Sequence, residues 1–212
     1  MNYQTIAEQS KRILSGLGSP AFLAGGAARY LYMKGDAPEP SDLDLFFYED
    51  RPSELLDHHL TFLGYRKGSV QGNALAWTPP EDWPAVQVVQ PIKTDYSRTF
   101  GRPTEVMNNF GFTTEMFATS VDVHSNLWSR PGHPDAVQHT IDRRLVLNHI
   151  TCPIGLSQRI AKYSRKGYTV DMQTIFQLFT EWEQRPLEWK ARLFEAEAAG
   201  NAAEFYRLTT LD

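Results

Sequence analysis

Residues 22–48, FLAGGAARYLYMKGDAPEPSDLDLFFY, decide how the rest of the chain is read. Phe22-Leu23-Ala24 is a short apolar run suited to a buried strand, and Gly25-Gly26 ends it. A helix follows over 27–34, AARYLYMK, and stops at Gly35. Asp36–Ser41 contains two prolines and reads as a loop, and 42–48 reads as a second strand. Side chains two apart on a strand share a face, so Asp42 and Asp44 project together while Leu43 and Leu45 enter the core. Two carboxylates on one face repel each other unless a positive charge sits between them. Hard divalent cations take oxygen ligands, so a metal is the expected partner. The glycine turn opening a helix sets backbone N–H groups where a phosphate can sit. Ser41 is read as a donor to a phosphate oxygen, the alternative being a cap on the turn before Asp42. A phosphate seat followed by a metal-binding pair implies metal-assisted chemistry on a nucleotide.

The chain has 212 residues, 42% of them hydrophobic, enough for one core with an extension. Net charge is −4, which argues against wholesale electrostatic binding of nucleic acid but leaves room for a local basic patch. A single cysteine, Cys152, excludes an internal disulfide and a Cys-rich zinc site. The N-terminus MNYQTIAEQSKRIL lacks an apolar signal core, and no run approaches the ~20 apolar residues of a membrane span. The expectation is a cytoplasmic protein with no membrane partner. Oligomeric state is not legible.

Outside the central stretch, 3–16 reads as a helix ended by Gly16 and Gly18. Pro52 opens a helix over 53–63, and strands near 64–70 and 73–78 form a hairpin joined around Gly72. Val86–Ile92 is a strand, 103–109 a short helix, Phe112–Thr119 a strand, and 135–148 a polar helix with Ile141, Leu145 and Leu147 inward. From 155 onward the pattern is helical: 155–166, 171–183, 187–198 and 201–208. The aromatics between 176 and 194 fall at core spacing and are expected to pack helices together. The fold class is therefore α+β: a small mixed β-sheet with helices on one side, over 1–150, then a helical C-terminal subdomain, 151–212.

The order of apolar strand, Gly25-Gly26, helix, then Ser41-Asp42-Leu43-Asp44 and an apolar run resembles the signature of the DNA-polymerase-beta-like nucleotidyltransferase superfamily. The nearest flavour is the head domain of the CCA-adding and poly(A) polymerase group. There a Gly-Gly turn leads to an Arg-bearing helix, matched here by Arg29, and on to Asp-x-Asp. Val86–Val89 matches the group's next core strand, and Phe110–Ala118 looks like its Arg-Asp-Phe-Thr-Ile-Asn-Ala segment. The likeness spans about residues 20–150. It departs at Gly111, where the group has Asp, and after Arg29, where an acid is common.

Such chemistry uses two or three carboxylates, and a two-metal site stabilises the attacking and leaving oxygens. On the neighbouring strand Gln87 and Gln90 are neutral, and Asp95, Glu105, Glu115 and Asp122 read as ordinary surface acids. Lys93, Arg98 and Arg102 form a candidate triphosphate clamp, a solvated basic loop being the alternative. Arg159, Lys162, Arg165 and Lys166 lie with two tyrosines in a ten-residue stretch. Arg159, Lys162 and Lys166 share a helical face that suits an RNA backbone and stacked bases, or else is simply solvated. The six histidines show no metal-ligand spacing.

The resemblance implies a metal-dependent nucleotidyltransferase. Asp42 and Asp44 are its catalytic, Mg2+- or Mn2+-binding pair. Gly25, Gly26, Arg29, Ser41, Lys93 and Arg98 hold a nucleoside triphosphate (NTP), and RNA supplies the acceptor hydroxyl. Two rival readings stand beside it: a degenerate module that binds nucleotide, RNA or protein without turnover, and a toxin-like or defence transferase that modifies tRNA or protein.

Overall fold

The computed structural model describes residues 2–17, 21–50, 52, 54–71, 73–80, 82–93, 98–201, 204, 205 and 208. Helix α1 (Tyr3–Leu17) precedes strand β1 (Ala21–Ala24), helix α2 (Gly26–Tyr32) and strand β2 (Asp42–Phe47). Helix α3 (Leu56–Phe62) leads to β3 (Arg66–Gln71), β4 (Ala74–Thr78) and β5 (Ala85–Val89). Then come α4 (Pro103–Met107), a 3-10 turn at Thr113–Glu115, β6 (Phe117–Val121), β7 (Leu127–Pro131), α5 (Ala136–Ile141) and β8 (Arg144–Leu145). The chain continues through α6 (Pro153–Ser164), β9 (Thr169–Val170), α7 (Met172–Gln184) and α8 (Leu187–Ala198).

Seven strands form one mixed sheet in the order β3-β4-β5-β2-β1-β6-β7. Only β2 and β5 are parallel, and their register sets Asp44 beside Gln87. Strands β1 and β2 lie in the middle and are covered on both faces, so their sequences AFLA and LFF are continuously apolar instead of alternating. On one face, Leu23, Leu43, Leu45, Phe47, Val86 and Val88 pack against α1, α2 and α3. On the other, Phe22, Ala24, Phe46 and Val89 meet Val106 and Met107 of α4 and Met116. Phe112, Leu145, Leu156, Tyr163, Tyr168 and Leu178 form a third cluster, which seats α6 and α7. The α+β class and the mixed sheet stand as expected, with α4 added on the face opposite α1–α3.

Several local expectations need correction. Helix α1 runs through Gly16 to Leu17, and the glycine there serves packing instead of a stop: a Cβ at Gly16 would meet the His59 ring of α3 at 1.8 Å. Gly18 and Gly72 lie outside the described residues. The strand expected over Phe112–Thr119 begins only at Phe117, since Thr113–Glu115 is a 3-10 turn. The helix expected over 135–148 is only Ala136–Ile141. Ile141 is exposed, and Leu145 is buried through the two-stranded sheet β8–β9. The aromatics of α7 and α8 pack the two helices together only in part: Trp182 meets the rings of Trp189 and Phe194 edge-on, whereas Phe176 and Phe179 are exposed and Leu178 and Leu193 are inward residues. Of the helix expected over 201–208, residues 204, 205 and 208 are helical and the others, apart from Asn201, lie outside the described residues.

Candidate active site

The pleat of β2 does what its sequence demands. Leu43 and Leu45 are fully buried against α1–α3, so Asp42 and Asp44 face the other way, into a cavity of about 300 Å³. Ser41 Oγ donates to Asp42 Oδ2 at 3.0 Å, and Gln87 Nε2 donates to the same oxygen at 3.2 Å. Ser41 is therefore engaged with the carboxylate itself. Burial pushes the Asp44 carboxyl up to about 7. The neighbouring Asp42 charge adds to this, while Lys162 and Arg159 pull in the opposite direction. A cation between the two carboxylates would relieve both costs.

Gly25 links β1 to α2 with φ of 77°, a left-handed conformation in which a side chain is strained. A Cβ there would also lie 3.7 Å from Asp44 Oδ2. The Gly25 N–H donates to the Phe117 carbonyl at 3.1 Å, which fastens the turn to β6 and removes that amide from the set free for a phosphate. Gly26 begins α2, and both glycines line the cavity.

The opposite wall comes from α6. Arg159, Lys162, Tyr163 and Lys166 line the same cavity, so the basic helical face turns toward the carboxylates. Burial and the neighbouring Lys162 charge hold the Lys166 ammonium below its ordinary value. Arg165, the C-cap of α6, is exposed and outside the cavity lining. Arg29 reaches across from α2 and is 1% exposed. Its Nη1 donates to the Thr114 carbonyl at 3.0 Å and to Tyr163 Oη at 3.3 Å, and its guanidinium lies over the rings of Tyr163 and Tyr168. Arg29 thus joins α2 to α6 as well as lining the cavity.

Of the expected clamp, Arg98 lines the cavity, pairs with Glu105 at 3.3 Å and stacks over Phe100. Lys93 is exposed and lies outside the lining. Asp95 lies outside the described residues, and Asp122 is an exposed turn acid holding Asn126 and His124. Glu115 is the acid that sequence reading misplaced. It is buried, lines the cavity and pairs with Arg159 Nη1 at 3.1 Å. The 3-10 turn that carries it inward left no periodic signal.

Gly111 has a packing reason. A Cβ there would come within 2.1 Å of Leu156 Cδ2, so α6 closes on the backbone where the resembled group carries Asp.

The donor set suits a hard cation. Among the described residues no group of three or more His, Cys, Asp or Glu makes a complete protein cage. Two carboxylates, with waters and phosphate oxygens completing the shell, are what Mg2+ accepts. Also among the described residues, no helix is long and apolar enough to cross a membrane.

No protein-family model matches the sequence, and no curated protein does. Solved structures do. A CCA-adding enzyme in an apo form is 13% identical, with a TM-score of 0.58, covering 87% of this chain and 46% of its own. A CCA-adding enzyme with CTP is 12% identical at 0.57, covering 87% and 45%. The Thermotoga maritima CCA-adding enzyme with tRNA is 13% identical at 0.55, covering 84% and 44%. The chain spans about half the length of the structures it matches. At such identities the likeness speaks for the fold alone: this chain shares its α+β fold with part of the CCA-adding enzymes.

Proposed function

We propose that the protein is a metal-dependent nucleotidyltransferase that moves a nucleoside monophosphate from an NTP to an acceptor hydroxyl, with RNA as the acceptor. The observation that carries this reading is one cavity with a carboxylate pair on β2 and basic side chains of α6 facing it. Asp42 and Asp44 are the residues to hold Mg2+ or Mn2+, which supplies charge neutralisation at the triphosphate. Lys162, Lys166 and Arg98 compensate the phosphate charge, most of all as pyrophosphate separates. Gly25 and Gly26 keep the backbone close to the phosphates. The acceptor oxygen forms the new bond to the α-phosphorus in line, and the bond to the bridging oxygen breaks. Arg159 and the exposed Arg165 add charge for an RNA backbone. We assign 1–150 to the nucleotidyltransferase core, 151–212 to a helical subdomain, and the protein to the cytoplasm.

A second reading, a nucleotide-binding module without turnover, is favoured by neutral Gln87 beside Asp44. Incubation with each α-labelled NTP, Mg2+ or Mn2+ and total RNA separates the two. Label on RNA that disappears in Asp42→Ala/Asp44→Ala supports transfer. Retained nucleotide without transfer supports the module, and label on protein redirects the acceptor.

A further inference from the structure

The strand beside the carboxylate pair brings an amide, not an acid, to the site. Parallel pairing aligns Gln87 with Asp44, and its Nε2 donates to Asp42 Oδ2. Ser41 Oγ donates to that same oxygen. A carboxylate shared by two cations must spare lone pairs for both, and those of Asp42 Oδ2 are already engaged by two neutral donors.

Among the described residues no other carboxylate in the cavity lining takes over the role. Besides Asp42 and Asp44 the described lining contains one acid, Glu115. Its Oε2 accepts from the Phe112 N–H at 3.3 Å and from Arg159 Nη1 at 3.1 Å. It serves as the partner of a cation already present.

The charge balance points the same way. Among the described residues Arg29, Arg98, Arg159, Lys162 and Lys166 face Asp42, Asp44 and Glu115 around the cavity, and Glu105 outside the lining pairs with Arg98, so the lining is positive by about one to two charges when all are ionised. A triphosphate carries about four negative charges, and one divalent cation leaves about two, which the lining largely offsets. A second cation would leave the lining's excess uncompensated in a partly desolvated space. The lining is also incompletely satisfied as it stands: Arg29 Nε is buried with no hydrogen-bond partner.

We propose that Gln87 makes this a single-cation site, in which Asp42 and Asp44 hold the one divalent ion that enters with the triphosphate and no second ion sits at the acceptor oxygen. The proposal rests on the nucleotide reading above. It makes Gln87 a positioning residue for Asp42. The acceptor hydroxyl must then be activated without a metal of its own.

The test counts ions directly. Protein is dialysed to equilibrium against Mn2+ and non-hydrolysable α,β-methylene analogues of the four NTPs. Bound nucleotide is measured by absorbance and bound Mn2+ by electron paramagnetic resonance. The expected result is one magnetically isolated Mn2+ per bound nucleotide in the wild type. Gln87→Glu, which has the same shape and a carboxylate, is expected to hold two, with spin-coupled broadening. Gln87→Met, uncharged and of similar length, keeps one and controls for folding. Two Mn2+ per nucleotide in the wild type, or one in a folded Gln87→Glu, overturns the proposal and leaves the nucleotide reading intact. Absence of any bound nucleotide overturns both.

Discussion

Asp44 gives the site a measurable pH signature. Its carboxyl sits beside Asp42 in a cavity partly closed to solvent, and its folded pKa is pushed from 3.8 up to about 7. A carboxyl raised on folding binds its proton more tightly in the folded chain. The stability it contributes is fully present below the unfolded pKa and is lost as pH rises through the folded one. The window is therefore about pH 4 to 7. A gap of about three pH units corresponds to about 4 kcal/mol as an upper bound. The side chain is mostly buried but open on its cavity side, so solvent screening brings the expected span to about 1–2 kcal/mol. For a chain of this size that is roughly 2–8 °C in melting temperature. The assay is thermal unfolding between pH 4.5 and 8 in EDTA, for the wild type and for Asp44→Asn, whose side chain does not titrate. The wild type should lose stability relative to the variant as pH rises. At pH 7.5, Mg2+ at ten times its Kd should restore about 1.4 kcal/mol to the wild type and little to Asp44→Asn. Parallel pH curves for the two proteins would refute the electrostatic account of the pair.

Other perturbations test the surrounding scaffold. Gly111→Asp, which installs the residue of the resembled group, should destabilise by about 1–3 kcal/mol in denaturant titration because Leu156 fills the space, and adding Leu156→Ala should recover part of the loss. Gly25→Ala should cost about 1–3 kcal/mol through its left-handed backbone and should weaken NTP binding measured by calorimetry, since the new methyl faces Asp44. Arg29→Lys keeps the charge but not the planar stack between two tyrosines, so its melting midpoint should fall by more than about 1 kcal/mol equivalent.

What was legible in the sequence follows from how local each signal is. The Gly25-Gly26 turn and the Asp42–Asp44 alternation are set by backbone conformation and pleat within a few residues, so the pattern alone places them. Arg159, Lys162 and Lys166 are spaced to share a face, and they do. Which way that face turns depends on Leu156 and Tyr163 packing against Phe112, more than forty residues away in sequence, so the pattern offered an RNA surface or a solvated face and did not point to a cavity wall. Glu115 was hidden for a related reason. An acid reads as exposed unless its buried partner is known, and Arg159 lies 44 positions later. The exposed Phe176 and Phe179 of α7 show the converse, since helical spacing marks a stripe of apolar side chains without saying that anything covers it.

The cavity belongs to neither half of the chain. Its carboxylate pair comes from β2 near residue 43, and Arg159 and Lys162 of α6, with Lys166 just past it, supply basic side chains from beyond residue 150. Arg29 connects the two: it leaves the helix that the glycine turn opens and is gripped between Tyr163 and Tyr168 at the far end of α6. Arg159 and Lys162 sit four residues and one residue before Tyr163 on that same helix. A displacement of α6 would therefore break the Arg29 stack and withdraw the cations from Asp44 in one movement. Withdrawing them would remove charges that oppose the rise of the Asp44 carboxyl, while the solvent admitted would relieve the burial that is the larger cause of that rise. The close seat of Leu156 on Gly111 is what holds α6 near enough for Arg159 and Lys162 to act on Asp44 at all.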